Sequence, residues 1–231
     1  MKRIAIVQSN YIPWKGYFDL INAVDEFVLY DDMQYTRRDW RNRNKLKTPQ
    51  GLKWITIPVD NKGKYYQKIN ETVVSDHDWA TNHWKTVKQL YSKAEFFVNY
   101  EDIFSDLYLS CNDLHLSKIN FRFISAINSI LGIKTKISWS SDYVLEEGRT
   151  EKILGICRQA EADVYVSGPS AKTYFDVSLA NNYGIHVEWM DYSGYPVYRQ
   201  LYPPFDHGVS ILDLIFNEGP SAMSFIQSVN K

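Results

Sequence analysis

Short apolar runs alternate with amphipathic segments along most of the chain. A run of β-branched and aromatic residues bounded by polar residues is typical of a buried strand, whereas apolar residues three or four apart indicate a helix. The first pattern predicts strands at 4–8, 27–30, 52–59, 137–139, 164–166 and 186–189. The second predicts helices at 14–24, 151–160, 170–181, 210–216 and 221–229. Strands that alternate with helices imply an α/β fold of three layers with a mainly parallel, Rossmann-like sheet.

The first strand–helix–strand unit spans 4–30. Pro13 precedes the helical pattern, and we expect it at the first helical position, where its missing N–H costs nothing. Such a crossover between parallel strands is nearly always right-handed. The segment 77–132 is largely helical in pattern, and we interpret it as an insertion or cap within a single domain of residues 1–231.

Composition limits the class of protein. The net charge is −1, so no global positive field draws the chain to nucleic acid or to an anionic membrane. The two cysteines form no CxxC pair, which argues against a disulfide framework or a structural zinc site. The N-terminus lacks the apolar core of a signal peptide, and no apolar run approaches the ~20 residues that span a bilayer. We therefore expect a cytoplasmic protein with no membrane span and no nucleic-acid partner.

The turn after the first strand, at 8–16, is the first candidate for ligand binding. In open α/β sheets, ligands lie beyond the carboxyl ends of strands, where a helix N-terminus offers N–H groups to anions. This layout is similar to that of nucleotidyltransferases and pantothenate synthetases, whose turn carries a His-x-Gly-His motif. Here 14–17 keeps the glycine, Gly16, and lacks both histidines, which disfavours adenylyl transfer. The alternative is a helix start with aromatic packing.

The second candidate is a basic segment at 37–47, which holds six cations in eleven residues. Arginine forks match phosphate oxygens, and Trp40 can stack on a base or sugar. A diphosphate ligand suits this segment better than duplex DNA, because the rest of the chain is not basic. The alternative is a solvated, charged face.

Two adjacent carboxylates, Asp31 and Asp32, follow the second strand. Either can orient a ribose, hold Mg²⁺ or act as a general base, although neighbouring side chains of an extended chain point to opposite faces. A strand-end cap is the alternative.

Two later turns, at 146–152 and 166–172, place glycine with hydroxyl or basic residues between an apolar run and a helix. Both can offer N–H groups to an anion, and together they suggest a shared cleft edge. The alternative gives Thr150 and Ser170 the role of helix N-caps.

None of the five histidines shows metal-ligand spacing, and we predict no metal site. His83 opens a predicted helix and is the best acid–base candidate, with a structural role as the alternative. Cys157 lies on an apolar helix stripe and is expected in the core.

Several of these segments together resemble the WbqC-like family of bacterial proteins. The segments that carry the resemblance are 6–19, 30–35, 41–49, 148–154, 165–171 and 210–214. The resemblance implies a role in surface-polysaccharide (O-antigen) biosynthesis. The implied reaction moves a glycyl, aminoacyl or acyl group onto an amino sugar that is nucleotide-linked. We expect the donor to be a coenzyme A or acyl-carrier-protein thioester. Two alternatives stay open: an ATP-using enzyme that activates a carboxylate, and a non-catalytic protein that binds a nucleotide-sugar or carrier.

The predicted site draws on all of these segments. The catalytic candidates are Asp31 and His83. The predicted substrate-binding residues are Gln8, Asn10, Tyr11, Trp14, Lys15, Gly16, Tyr17, Asp32, Tyr35, Trp40, Arg41, Arg43, Asn44, Lys45, Arg149, Thr150, Ser167, Gly168 and Ser170.

Overall fold

Five parallel strands form the central sheet of the computed structural model, which describes residues 1–227. The strands in chain order are β1 (Arg3–Val7), β2 (Glu26–Leu29), β3 (Arg43–Thr48), β4 (Gly51–Thr56), β5 (Lys136–Trp139), β6 (Val164–Ser167) and β7 (His186–Trp189). The central sheet has the order β5-β2-β1-β6-β7, and β3 and β4 form a separate antiparallel hairpin.

Helices lie on both faces of this sheet. They are α1 (Lys15–Asn22), α2 (Trp79–Tyr91), α3 (Phe97–Leu109), α4 (Leu116–Leu131), α5 (Arg149–Gln159), α6 (Val177–Asn182) and α7 (Ile211–Glu218). Short 3₁₀ helices occupy Ser140–Asp142, Pro169–Thr173 and Gly219–Phe225. Within residues 1–227, no helix has the length and apolar character that a membrane span requires.

The strands of the sheet are apolar because both of its faces are covered. Successive side chains point to opposite faces, so Ile4 and Ile6 pack in one core while Ala5 packs in the other. Phe27 and Val28 of β2 divide between the two cores in the same way. The prediction of a three-layer, mainly parallel α/β fold is confirmed.

Three helices, α2 to α4, fill the segment between β4 and β5 and pack mainly through aromatic rings. Phe123 of α4 lies 4.7 Å from Tyr108 of α3, measured between ring centroids. Trp84 of α2 stacks on Phe97 of α3, with an angle of 12° between the ring planes. We call this helical part, residues 79–131, the cap. These rings form much of the core of the cap.

The hairpin departs from the sequence prediction. We expected a polar loop over 34–50 and one strand over 52–59, whereas β3 begins at Arg43 and β4 ends at Thr56. Three cations of β3 conceal the strand, because they alternate with inward-facing residues that include Asn44 and Leu46. Leu46 is fully buried and Ile55 nearly so, and the hairpin therefore packs into the core although most of the side chains of β3 are polar or cationic.

Three helix predictions also need correction. The first helix begins at Lys15 with Trp14 as N-cap, so Pro13 lies outside it. The predicted helix at 170–181 is interrupted, because the Asp176 carboxylate accepts a hydrogen bond from Leu179 N and starts α6 anew. At the C-terminus, 3₁₀ helix Gly219–Phe225 replaces the start of the helix predicted at 221–229, and residues 228–229 lie outside the described part of the chain.

Candidate functional site

A cleft of about 710 Å³ opens where the strands of the central sheet end. From β1 the chain crosses to β2 on one side, whereas from β6 it crosses to β7 on the other. The strand order therefore reverses between β1 and β6, which is the position where ligands bind in open α/β sheets. The volume also falls in the usual range for small-molecule sites.

The walls of the cleft are apolar and aromatic, with a few polar groups. The lining residues are Ile6, Val7, Gln8, Trp14, Tyr17, Leu20, Tyr30, Met33, Arg41, Gly148, Arg149, Lys152, Ile153, Tyr165, Ser167, Gly168, Ser170, Ala171, Tyr174 and Tyr192. Among these, three are cations and none is an acid or a histidine. A cleft of this composition favours an anionic ligand.

The turn after β1 is held in a strained conformation by buried hydrogen bonds. Ile12 has a φ of 37°, which is rare for a β-branched residue. The Asn44 amide donates to Tyr11 O at 3.1 Å and to Ile12 O at 2.9 Å, and the Ser210 hydroxyl donates to Ile12 O at 2.8 Å. Strain of this kind costs of order 1–3 kcal/mol and clusters at functional sites. Asn44 therefore stabilises the strained turn through its two hydrogen bonds to the backbone.

Arg41 crosses from the basic segment to the same turn and lines the cleft. Its guanidinium donates to Gln8 O at 3.3 Å, to Ser9 O at 3.5 Å and to the side-chain oxygen of Asn10. Its Nε is buried and has no hydrogen-bond partner among the described residues. Arg41 thus joins two of the predicted segments, and it brings a positive charge to the end of β1.

The start of α5 forms another wall. Gly148, its N-cap, has a φ of 97°, and no side chain caps the helix here. The first N–H groups of an α-helix are unpaired and carry its positive dipole end, which attracts anions, and the Glu151 carboxylate of the same turn lies beside Gly148. The Arg149 guanidinium lies 3.7 Å from the centre of the Tyr174 ring, which fixes it at the cleft.

Thr150 and Ser170, the hydroxyl residues of the two later turns, do not have the alternative role of helix N-caps. Neither is an N-cap, since Thr150 and Ser170 lie inside helices whose N-caps are Gly148 and Gly168. The buried Thr150 hydroxyl accepts from Asp176 N at 3.3 Å, and only Ser170 lines the cleft.

The two predicted carboxylates lie outside the cleft lining. Asp31 is 1% exposed and accepts hydrogen bonds from Ser9 N at 2.8 Å and from the Ser117 hydroxyl. Burial raises the pKa of Asp31. Asp32 accepts from the Ser140 hydroxyl at 2.6 Å and lies 3.6 Å from the Lys68 ammonium. Asp31 therefore fixes the turn next to Gln8 and does not line the cleft.

His83 lies in the core of the cap and not in the cleft. Its Nδ1 hydrogen-bonds to Tyr11 Oη at 2.9 Å, and its Nε2 to Thr56 O at 3.0 Å. Burial lowers the pKa of His83 to about 4, so the ring is neutral at pH 7. Tyr11 is fully buried beside it. These contacts match the structural alternative for His83.

Three further predicted residues serve packing. A Cβ at Gly16 would lie 2.3 Å from the Trp14 ring, so the close approach that this glycine permits is that of Trp14. The buried Lys15 donates to Pro196 O at 3.1 Å, and burial lowers its pKa to about 8. Tyr35 is buried and its N–H donates to Gln67 O at 2.9 Å.

Asn10, Trp40 and Asn44 line a smaller cavity of about 200 Å³ that shares Trp14 with the cleft, whereas Arg43 and Lys45 do not line it. It is lined by Asn10, Pro13, Trp14, Trp40, Asn44 and Gly208. Trp40 packs against Trp54, on which Arg43 stacks at 3.9 Å, and the Lys45 ammonium lies over both indole rings. The cleft, which eight of the predicted residues line, therefore adjoins this smaller cavity at Trp14.

Sequence reasoning missed one cation of the cleft, Lys152, and four tyrosines, which are Tyr30, Tyr165, Tyr174 and Tyr192. Lys152 lies three residues after Arg149, and this spacing places both on one face of α5. That signal was available in the sequence. Tyr174 and Tyr192 lie in segments without regular structure, where hydrophobic periodicity gives no indication of direction.

Comparison with known proteins places the chain in a family. The model of the WbqC-like protein family matches residues 8–225. An uncharacterized protein from Mycobacterium tuberculosis is 52% identical over 227 residues, which cover 98% of each chain. No solved structure matches the chain significantly. The chain belongs to the WbqC-like protein family.

Proposed function

We propose that the cleft between β1 and β6 binds a nucleotide-linked amino sugar, onto which the protein transfers a glycyl, aminoacyl or acyl group. The observation that carries this proposal is the cleft lining, which has three cations and no acid at the switch point of the sheet. The resemblance to proteins of surface-polysaccharide biosynthesis supplies the class of reaction.

The diphosphate of such a ligand finds complementary groups at one end of the cleft. Arg149 and Lys152 lie on the first turn of α5, whose N–H groups have no side-chain cap. Arginine binds phosphate oxygens through paired N–H donors, and the helix terminus adds its own positive end. Trp14, Tyr174 and Tyr192 give the cleft aromatic surfaces on which a base or sugar ring can pack.

The transfer needs no covalent enzyme intermediate. The sugar amine attacks the thioester carbonyl, a C–N bond forms as the C–S bond breaks, and the amine proton leaves with the departing thiol. Cys157 is fully buried with a thiol pKa raised by burial to about 12, and Cys111 lies in the loop between α3 and α4. We therefore expect Cys157→Ala and Cys111→Ala to retain turnover, and loss of turnover in a folded variant would contradict direct transfer.

A second candidate is a non-catalytic protein that binds a nucleotide-sugar within an assembly complex. The observation that favours it is the lack of an acid or histidine among the residues that line the cleft. This candidate predicts the same binding with no product. The ATP-using alternative is weaker, since 14–17 lacks the two histidines of that motif.

A thermal-shift screen followed by product analysis tests these proposals. Nucleotide-sugars, ATP and acyl-coenzyme A thioesters are added separately, and a ligand at 100 times its Kd stabilises the fold by about 2.7 kcal/mol. We expect nucleotide-sugars to raise the Tm, and mass spectrometry to detect the acylated sugar when a thioester is added. Binding without product would favour the second candidate. No shift with any ligand would contradict both.

A further inference from the structure

The low net charge of the chain conceals a strong internal asymmetry. Residues 37–68 hold ten of the 26 lysines and arginines but only two of the 27 acidic residues. Their net charge is therefore +8, whereas the rest of the chain carries −9. Lys47 is buried and Arg41 faces the cleft, while six cations are exposed on this segment or at its end. These six are Arg37, Arg38, Lys53, Lys62, Lys64 and Lys68.

Contacts join the surface of the loop before β3 to that of the hairpin and to that of the loop after β4. Arg37 donates to Asn61 O at 2.9 Å, which ties the loop before β3 to the loop after β4. Arg43 donates to Arg38 O and stacks on Trp54 of the hairpin. We call this surface, formed by residues 37–45 and 52–68, the basic face.

The basic face also exposes aromatic side chains. Tyr65 and Tyr66 are 75% and 84% exposed, and Trp40 and Trp54 are each 39% exposed. These four are the majority of the six exposed tryptophans and tyrosines in residues 1–227. Leu52 of β4 is exposed beside them.

We propose that the basic face binds the interface of an anionic lipid membrane. Lysine and arginine near an anionic leaflet are attracted to it, and tryptophan and tyrosine are the residues that prefer the membrane–water interface. The acidic remainder of the chain would be repelled, so one orientation is favoured.

The ring geometry favours a membrane over single-stranded nucleic acid. Bases stack on successive open ring faces, whereas Tyr65 and Tyr66 are perpendicular at 89° and Arg43 covers Trp54. Two residues of the basic face also reach the cavities, since Arg41 lines the cleft and Trp40 lines the smaller cavity. Membrane binding would therefore place the cleft beside the lipid surface.

Vesicle co-sedimentation tests this proposal with the full chain. We expect binding to phosphatidylcholine vesicles that contain about one-third phosphatidylglycerol to exceed binding to pure phosphatidylcholine by about tenfold or more, and to weaken at high salt. Equal binding to both vesicles, or binding to neither, would overturn the proposal. Binding to single-stranded DNA without vesicle binding would also overturn it.

Paired variants separate the basic face from general charge. Arg38→Gln/Lys62→Gln/Lys64→Gln is compared with Lys85→Gln/Lys93→Gln/Lys134→Gln, which removes three exposed cations elsewhere. We expect about a tenfold loss of vesicle binding in the first variant and little change in the second. Equal losses in the two would contradict the assignment, and circular dichroism checks that both are folded.

The aromatic pair has its own control. Tyr65→Ser/Tyr66→Ser should weaken vesicle binding severalfold, whereas Tyr183→Ser, at an exposed tyrosine outside the basic face, should not. Unchanged vesicle binding by the double variant would contradict the role of Tyr65 and Tyr66 at the membrane interface. The thermal shift with nucleotide-sugars is read on the same variants and stays unchanged, so this inference and the proposed function can fail separately.

Discussion

The cap and the cleft use the same aromatic residue types for opposite purposes. In the core of the cap, the fully buried Tyr108 shares a hydrogen bond of 2.9 Å with the hydroxyl of Tyr11, which reaches this core from the turn after β1 and is also fully buried. At the cleft, Tyr174 is 45% exposed, and Trp14 and Tyr192 are half-buried with their rings 5.3 Å apart.

This difference indicates that the rings of the cap stabilise the fold, whereas those of the cleft are available for binding. Buried rings with satisfied hydroxyls stabilise the fold, because they bury apolar area without leaving an unpaired polar group. Half-exposed rings beside cations contribute less to folding and remain available for a ligand. We therefore expect substitutions in the cap to change stability and substitutions in the cleft to change binding.

The largest effect is expected in the core of the cap. Phe123 is fully buried and contacts the rings of Tyr11 and Tyr108, so Phe123→Ala should lower the free energy of unfolding by about 3–5 kcal/mol. Urea denaturation measures this loss. Tyr174→Ala at the cleft is the control and should stay within about 0.5 kcal/mol of wild type. Similar losses in both variants would erase the distinction between the two regions.

The buried His83 sharpens the comparison through pH. Its folded pKa of about 4 lies below the ordinary 6.5, so the unfolded state binds the proton more tightly. Stability should therefore fall as pH drops from about 6.5 to 4, by about 3 kcal/mol from this group alone, and should not depend on it above that window. Urea denaturation against pH, compared with His83→Gln, isolates this contribution. A parallel pH dependence in the variant would mean that His83 is not buried in the neutral form.

Asp31 lies beneath the cleft and should affect both properties. Asp31→Asn presents an amide NH₂ to groups that now donate to a carboxylate, so we expect a loss of about 1–3 kcal/mol in stability and weaker ligand binding. Asp32→Asn is the adjacent control, whose side chain contacts Ser140 and Lys68 instead. Denaturation and nucleotide-sugar titration are measured on both. Normal binding by Asp31→Asn would remove its positioning role.

Much of the central sheet could be predicted from the sequence because its strands are buried on both faces. The segments that form β1, β2 and β6 are nearly continuous apolar runs, which cannot be mistaken for a polar loop. The edge hairpin could not be predicted in the same way. In β3, cations on the outer face hide the inward residues Asn44 and Leu46.

The sequence predicted where the candidate site lies better than it predicted which residues line it. Turns at strand ends predicted Gln8, Arg149 and Ser167, since parallel strands bring their carboxyl ends to one edge. Residue type alone suggested a base at His83, whereas tertiary packing buries it in the cap. Tyr192 follows no periodic pattern, and only the folded chain brings it to Trp14.

Isothermal titration of the wild type and two variants of α5 with a nucleoside-diphosphate sugar tests the central claim most directly. Arg149→Gln removes a cation at the cleft, whereas Arg158→Gln removes one at the far end of the same helix, where it pairs with Glu146. We predict about tenfold weaker binding for Arg149→Gln, with unchanged binding for Arg158→Gln and a stability within about 0.5 kcal/mol of wild type for both. Equal affinity in all three proteins, or no binding by any of them, would contradict the account.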